Sequence, residues 1–202
     1  MKYALRIHNL SYKLGSSLSV RAEGIHPKHR LMNFHKFFID NISRKDLVLD
    51  IGCGKGELAY DISKKAKKVT AIDINKKNIR KAKKNFSQDN MVYLVGDATK
   101  YRFNEKFSII ILSNVLEHIK DRYRFLMKIK RLAPKILIRV PMFDRDWTVP
   151  YKKELGLKWK SDETHFTEYT LRSFQEEMYK TGLKIKKYSV QFGEIWAVTE
   201  RK

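Results

Sequence analysis

The sequence predicts an α/β fold, in which seven strands form a mostly parallel sheet with helices on both faces and an antiparallel hairpin at the C-terminus. From Leu47 onward, short and nearly continuous apolar runs alternate with helical stretches. Such runs are typical of parallel strands that are buried on both faces. Only Gln191-Phe192-Gly193 separates the last two runs. A connection this short favours a hairpin over a crossover helix.

The strand and helix positions follow from these patterns. The predicted strands span residues 47–51, 68–72, 91–95, 107–112, 135–140, 183–190 and 195–199. A helix over residues 119–133 is expected to bury one face. That face comprises Ile119, Tyr123, Leu126 and Ile129, with Arg122, Arg124, Lys128 and Arg131 directed to solvent. A later helix begins at Thr170, a favourable N-cap, and ends before Gly182.

Three segments organise the chain. Residues 1–46 are expected to form an N-terminal helical cap segment, with a loop at 15–19 and a helix at 31–42. The predicted buried face of that helix comprises Leu31, Phe34, Phe38 and Ile42. Residues 47–202 form one cofactor-binding domain. Within it, residues 141–167 contain prolines and aromatic residues without clean periodicity, so we expect a lid insertion on the substrate side.

Length and composition limit the class of protein. At 202 residues the chain is long enough for one domain with a full core. A lone cysteine, Cys53, excludes an internal disulfide framework, and no residue spacing indicates a metal site. No apolar run is long enough to span a bilayer, and no signal-peptide pattern begins the chain. We therefore expect a soluble, cytoplasmic protein.

The charge is strongly positive: 43 Lys and Arg face 22 Asp and Glu, for a formal net charge of +21. Such a charge attracts nucleic acid, anionic lipid head groups or phosphorylated substrates. Because the lysines are scattered over expected helix surfaces, we predict weak, salt-sensitive attraction rather than a specific nucleic-acid site.

A glycine-rich loop follows the first strand. Gly52, Gly54 and Gly56 allow a ligand to approach the backbone closely. Counted from Gly52, the dinucleotide fingerprint fails, because its third glycine position is occupied by Glu57. Counted from Gly54, the variant ending in Ala59 fits. The loop alone therefore leaves nicotinamide and flavin enzymes open.

Later strand ends decide between these classes. Asp73 ends the second strand, at a spacing from the loop that suits a ribose hydroxyl. Gly96-Asp97-Ala98 follows the third strand, and Ser113-Asn114-Val115-Leu116-Glu117-His118-Ile119 follows the fourth. With these motifs, the sequence resembles the class I S-adenosylmethionine-dependent methyltransferases, particularly the small-molecule group with quinone-biosynthesis and sugar methyltransferases. The resemblance covers residues 45–135 in detail and the remainder more loosely.

The resemblance implies a Rossmann-like fold, S-adenosylmethionine as cofactor, and roles for individual residues. Asp50 and the glycine loop, including Cys53, would hold the methionine part. Asp73 would hold the ribose hydroxyls, and Asp97 with Ala98 the adenine edge. The adjacent Ile74 is also expected to contact the cofactor. Asn114 and Leu116 would line the sulfonium side. Carboxylates at three strand ends suit a ligand that carries a cationic sulfonium.

Methyl transfer to a hydroxyl requires in-line placement and removal of a proton. His118 is the first candidate base, because its unperturbed pKa lies near neutrality and it follows the fourth strand. Glu117 is the second. The acceptor-side candidates are aromatic and basic side chains that could hold a phosphorylated or glycosylated acceptor, namely His26, His29, Arg30, Trp147, Tyr151 and His165.

Three functions compete. The first is methyl transfer to a small or carrier-linked acceptor, chiefly to oxygen of a sugar or a quinone-type lipid. The second is RNA methylation, which the charge and a glycine loop similar to that of guanine-N7 cap enzymes keep open. The sequence lacks the Asn/Asp-Pro-Pro-aromatic motif of exocyclic-amine enzymes, and Cys53 lies in the cofactor loop rather than near an acceptor. The third is a binding protein that keeps the cofactor without turnover.

Overall fold

The sheet has seven strands, in the order β3-β2-β1-β4-β5-β7-β6. A computed structural model describes residues 1–24 and 26–202. The strands are β1 (Leu47–Ile51), β2 (Lys68–Asp73), β3 (Met91–Val95), β4 (Ile109–Ser113), β5 (Lys135–Pro141), β6 (Leu183–Gln191) and β7 (Glu194–Arg201). Strands β1 to β5 pair in parallel. Strand β7 runs antiparallel to both β5 and β6. The predicted fold class and terminal hairpin are confirmed.

The helices are α1 (Lys2–Glu23), α2 (Lys28–Met32), α3 (Phe34–Asp40), α4 (Glu57–Ser63), α5 (Lys76–Asn85), α6 (Arg122–Ile129), α7 (Thr148–Glu154) and α8 (Leu171–Lys180). A short 3-10 helix, η1, spans Leu116–His118. In the described part of the chain, no helix combines the length and apolarity needed to cross a membrane.

Alternate residues of the central strands enter two separate cores, one on each face of the sheet. Leu49, Ile110 and Ile138 pack with Leu126 of α6 and Phe174 of α8. On the other face, strand residues join α3, α4 and α5, as Val48, Ile111, Phe38, Ile62 and Ala82 lie in one cluster. This alternation is the double coverage that continuous apolar strands predict.

The N-terminal predictions need two corrections. Residues 15–19 are not a loop, because α1 continues through them, and the Ser19 hydroxyl donates to the Gly15 carbonyl at 2.7 Å. Glycine and serine lower helix propensity without breaking a helix. The helix expected at 31–42 is two helices, since Asn33 adopts a φ of 47° between α2 and α3. Asparagine tolerates that conformation better than most residues do. Leu31 is consequently 64% exposed.

The helix expected at 119–133 is shorter and turned relative to the prediction. Tyr123 is 54% exposed, whereas Phe125 is buried. Two basic side chains that were predicted to face solvent instead form hydrogen bonds with other parts of the protein. Arg122 donates to Glu177 at 2.9 Å, and Lys128 bonds to the loop after β3. Long cationic side chains can bury their stems while their charged ends find partners, which a periodicity argument does not capture.

Candidate functional site

The loop from Gly52 to Gly56 joins β1 to α4 and is held against β2. The backbone N–H groups of Gly52 and Cys53 donate to the Ile72 carbonyl at 2.7 and 3.1 Å. Gly56 has a φ of 92°, and a Cβ there would lie 2.6 Å from the Tyr93 hydroxyl oxygen and 2.9 Å from the Ala82 Cβ. Both the positive φ and the close approach of α5 and β3 therefore require glycine at position 56.

Two buried groups lie behind the loop. Asp50 is 1% exposed, and its Oδ2 has no hydrogen-bond partner within the described residues. Burial, and secondarily the Asp73 carboxylate, raise the pKa of Asp50 to about 8. Burial also raises the pKa of the Cys53 thiol. The thiol therefore stays protonated near neutral pH, which agrees with a packing role rather than nucleophilic chemistry.

One carboxylate ends β2 and another follows β3, at the same edge of the sheet. Asp73 Oδ2 accepts from the Gly54 N–H at 2.9 Å, and Oδ1 accepts from the Asn75 N–H at 2.7 Å. Asp97 Oδ1 accepts from the backbone and the hydroxyl of Thr99 at 2.9 and 2.6 Å. These bonds, chiefly the one from the hydroxyl, lower the pKa of Asp97. Asp97 is thus oriented by its own loop, whereas Asp73 is oriented both by Asn75 and by the glycine loop after β1.

A cavity of about 1250 Å³ opens at this edge of the sheet. Six of the residues predicted to bind cofactor line it, namely Gly52, Asp73, Ile74, Asp97, Ala98 and Asn114. The other five are not part of its lining, namely Asp50, Cys53, Gly54, Gly56 and Leu116. Asp50, Cys53, Gly56 and Leu116 are buried, so they support the wall rather than form its surface. We call the part lined from the ends of β1, β2 and β3 the cofactor side.

Lys128 on α6 also lines the cavity and is a residue that sequence reasoning missed. Its Nζ donates to the carbonyls of Ala98, Thr99 and Tyr101 at 3.1, 2.9 and 2.7 Å. The loop after β3 is thereby tied to α6. No sequence signal identified this role, since the bonds depend on where α6 packs.

The segment after β4 forms the part of the cavity that we call the acceptor side. It begins with Asn114, whose φ of 55° is left-handed. The Asn114 N–H donates to the Arg139 carbonyl at 2.8 Å, while the buried Oδ1 lacks a partner among the described residues. A strained residue with a free buried acceptor is common where a ligand binds. Leu116 is fully buried below it.

His118 lines the cavity on the acceptor side, and its neighbours determine its tautomer. Its Nδ1 lies 2.9 Å from the Thr164 hydroxyl, which donates its single proton to Asp162 at 2.7 Å. Thr164 must therefore accept from the Nδ1–H of neutral His118, which leaves Nε2 with a lone pair. Burial, and secondarily His165, lower the pKa of His118. The imidazole is consequently neutral at pH 7 and able to accept a proton.

Glu117 is fully buried beside His118, outside the cavity lining. Neither carboxylate oxygen has a hydrogen-bond partner in the described residues. Burial raises the pKa of Glu117 to about 8. Its backbone carbonyl accepts from the Phe166 N–H at 2.7 Å, which attaches the 141–167 segment to η1. At neutral pH the side chain is mostly protonated and therefore a poor base.

His165 completes a cluster with Glu117 and His118, in which one ligand atom from each lies within 4.8 Å of the others. The imidazoles of His118 and His165 meet edge to face at 4.6 Å between centroids. His165 is buried, with Nδ1 3.1 Å from Glu168 Oε1. A carboxylate and two imidazoles also suit a divalent cation. Sequence spacing indicated no metal site because it does not show that the 141–167 segment folds back onto η1.

The remaining predicted acceptor residues, His26, His29, Arg30, Trp147 and Tyr151, do not line the cavity. His29 packs against Phe34 and His35, and burial lowers its pKa to about 4. Arg30 is exposed and pairs with Glu23. Trp147 is 73% exposed. The structure thus brings His165 to His118 and leaves the others apart, since they lie on the N-terminal segment and around α7.

Phe166 and a set of basic side chains line the cavity but were not predicted. The basic residues are Lys100, Arg102, Lys120 and Arg124. Their clustering depends on the approach of the segments after β3 and β4. In sequence they are indistinguishable from the other surface lysines and arginines.

Comparison with known proteins agrees with this geometry. A methyltransferase domain family matches residues 24–188. A ubiquinone biosynthesis O-methyltransferase of Rickettsia bellii is 28% identical over 101 residues, which are 48% of this chain and 42% of that protein. The chain therefore spans less than half of that relative's length.

Two solved structures share the fold. One is a chain of the complex between the Haloferax volcanii Trm112 methyltransferase activator and a methyltransferase, with TM-score 0.70, 14% identity, and coverage of 90% of this chain and 96% of that one. The other is magnesium protoporphyrin IX methyltransferase of Synechocystis with bound S-adenosylhomocysteine, with TM-score 0.66, 16% identity, and coverage of 87% and 83%. The family match over most of the chain, the strand order and the carboxylates at the strand ends lead to one conclusion: the chain belongs to the class I S-adenosylmethionine-dependent methyltransferases.

Proposed function

We propose that this protein transfers the methyl group of S-adenosylmethionine to an oxygen of a small or carrier-linked acceptor, such as a sugar or a quinone-type lipid. The observation that carries the proposal is His118, a neutral imidazole in the cavity wall whose Nε2 is left free by the bond at Nδ1. The name of the Rickettsia relative, an O-methyltransferase, supports oxygen as the methylated atom.

On the cofactor side, Asp73 would hold the ribose hydroxyls and Asp97 with Ala98 the adenine edge. Gly52 and its neighbours would pack against the methionine part, with Asp50 behind them as a buried counter-charge. Three carboxylates close to the site favour a ligand with a cationic sulfonium. The free Oδ1 of Asn114 is available to a polar group at the junction with the acceptor side.

Bound S-adenosylmethionine would supply an electrophilic methyl group to the acceptor hydroxyl oxygen, and the electron pair of the broken carbon–sulfur bond would stay with the departing S-adenosylhomocysteine. His118 Nε2 takes the hydroxyl proton and becomes an imidazolium. General base catalysis of this kind contributes about 10²- to 10⁴-fold. Placement of the acceptor supplies most of the remaining rate.

Residues 141–167 serve as a substrate-side lid in this proposal. Phe166 belongs to this segment and lines the cavity, while Thr164 contacts His118. Binding of an acceptor beneath the segment would therefore both exclude water from the site and fix the orientation of His118. An acceptor with phosphate or other acidic groups is favoured by Lys100, Arg102, Lys120 and Arg124 at the cavity.

RNA methylation is the second candidate, and the same four basic residues favour it. The test is to incubate the protein and radiolabelled S-adenosylmethionine with fractionated cell extract, with His118→Ala as the matched control. We expect wild-type protein to label the lipid, glycan or small-molecule fraction, and the variant to label it far less. Label confined to RNA would replace the proposed acceptor. Cofactor binding with no label in any fraction would indicate a non-catalytic binding protein.

A further inference from the structure

The first helix of the chain presents an apolar stripe to solvent. Along α1, apolar side chains recur at helical spacing on one face. They are Tyr3, Ile7, Leu10, Leu14 and Leu18, exposed by 78%, 65%, 69%, 58% and 53%. The helix has no buried residue. Five neighbouring apolar side chains in water form a patch of the kind that marks an interaction site.

The opposite face of α1 rests on the body of the protein through polar contacts. Asn9 donates from Nδ2 to the Lys158 carbonyl at 2.9 Å and accepts from Lys152 Nζ at 2.8 Å. Ser16 Oγ lies 3.0 Å from His26 Nε2. With about 3.6 residues per turn, Asn9 and Ser16 lie across the helix from the stripe. The contacts that hold α1 in place thus direct its apolar face away from the protein.

The charged side chains next to the apolar stripe limit the kind of surface that it can bind. Lys2, Arg6 and Lys13 lie along one edge of it, and Arg21 is in the last turn. Glu23 is the single acid of the helix, and it pairs with Arg30. A second copy of this chain would bring these cations, and two net charges of +21, against each other. An anionic surface instead complements both the cations and the apolar stripe.

From this geometry we propose that α1 is an interfacial helix that docks the protein on an anionic lipid membrane. The stripe would enter the boundary between head groups and acyl chains, while the basic edge meets the acidic head groups. The composition of α1 agrees with this role. Gly15 and four serines lower its propensity to stay helical in water, so burial of the stripe would stabilise it. The inference goes beyond the proposed function and holds for any acceptor.

The test is co-sedimentation of the full chain with vesicles of phosphatidylcholine containing about 30 mol% phosphatidylglycerol, compared with pure phosphatidylcholine. We expect binding to the anionic vesicles that weakens with added salt. Replacing Ile7, Leu10 and Leu14 with serine should weaken it by about tenfold per residue. Val92, Tyr179 and Tyr188, exposed on the sheet and α8, provide the matched serine control, which should bind normally.

A charge-matched pair separates helix-specific docking from general attraction by a basic protein. Lys2, Arg6 and Lys13 changed to glutamine should lose about fivefold in affinity per cation removed. The equal removal of Lys77, Lys81 and Lys84 from α5 should cost much less. Hydrogen exchange of residues 2–23 should slow when anionic vesicles are added.

Three results would overturn the proposal: no binding to anionic vesicles, equal losses from the α1 and α5 charge variants, or full binding by the serine variant of the stripe. A dimer in solution that the stripe variant abolishes would assign α1 to a second copy of the chain. Because vesicle binding is measured without an acceptor or methyl donor, its failure leaves the methyltransferase proposal untouched.

Discussion

The cofactor side and the acceptor side of the cavity are assembled in different ways. On the cofactor side, Gly52, Asp73 and Asp97 each lie at or within two positions of the end of a strand, and backbone N–H groups of the adjacent loops orient the two carboxylates. On the acceptor side, His118 follows β4 but depends on Thr164 and Asp162, far along the chain. Local sequence order therefore largely determines the cofactor side, whereas tertiary packing determines the acceptor side.

The largest expected effect tests the acceptor side. His118→Ala should lower turnover by ~10²- to 10⁴-fold and leave S-adenosylmethionine affinity nearly unchanged, since the imidazole acts on the acceptor proton. Steady-state rates and calorimetric binding measure the two quantities. His26→Ala, a half-buried imidazole outside the cavity lining, is the control. Near-normal turnover of His118→Ala would return this residue to a structural role.

The pH profile of the wild-type enzyme distinguishes the two candidate bases. A His118 base with a lowered pKa retains activity near neutrality and loses it as pH falls through a midpoint below ~6.5. A Glu117 base would instead produce a rise with a midpoint near 8. If His118 acts as a free base, dialysis against EDTA leaves turnover intact. Activity lost to EDTA and restored by a divalent cation would move the role to a metal at Glu117, His118 and His165.

The next effect tests the cofactor side. Asp73→Ala should weaken S-adenosylmethionine binding by about 1.5 to 3 kcal/mol, the range for a hydrogen bond to a charged group. Calorimetry with S-adenosylmethionine and S-adenosylhomocysteine measures the loss, and NAD and NADP should not compete. Asp89→Ala, at an exposed acid outside the cavity lining, should bind normally. Unchanged affinity in a folded Asp73→Ala protein would show that this carboxylate does not meet the ribose.

A smaller effect on stability tests how tightly the glycine loop is packed. Gly56→Ala should reduce the free energy of unfolding by about 1 to 3 kcal/mol, because its Cβ meets Tyr93 and Ala82 at a positive φ. Gly54→Ala has a positive φ but no neighbour within 4 Å of its Cβ, so it should cost about 1 kcal/mol. Urea unfolding of both variants makes the comparison. Equal losses would mean that backbone conformation, rather than close packing, explains both glycines.

The smallest effect is a proton linked to cofactor binding. Asp50 has a pKa of about 8 without ligand, so much of it is protonated at pH 7. A cationic ligand favours the carboxylate, so binding should release a proton and tighten as pH rises towards 8. If one proton is released, the affinity for the cofactor rises by at most about tenfold per pH unit. Calorimetry in buffers of different ionisation enthalpy counts the proton, with Asp50→Asn as the control. If the observed binding heat is the same in all buffers, no proton is released, and Asp50 does not ionise when the cofactor binds.

The same contrast explains what sequence could predict. Strands β1 to β5 and the hairpin were found within about two residues, because continuous apolar runs bounded by loops report burial directly. Gly52, Asp73 and Asp97 were predicted to lie at the site because glycines and acids at strand ends keep a fixed order. The loop predicted at residues 15–19 was wrong, because α1 continues through Gly15 and the neighbouring serines despite their low helix propensity. The contact of Thr164 and His165 with His118, and the bonds of Lys128, exist only after the chain has packed.

Lys128 also limits how far the acceptor side of the cavity can change without altering the cofactor side. An ammonium group has three protons, and three carbonyls surround this one, so the planar fork of arginine would not satisfy the same acceptors. The Lys128 side chain links the loop of Asp97 to α6, the helix that follows the segment after β4. An insertion that slides α6 along its axis to admit a larger acceptor would move the loop of Asp97 with it. Redesign of acceptor specificity should therefore leave the register of α6 fixed and vary the 141–167 segment.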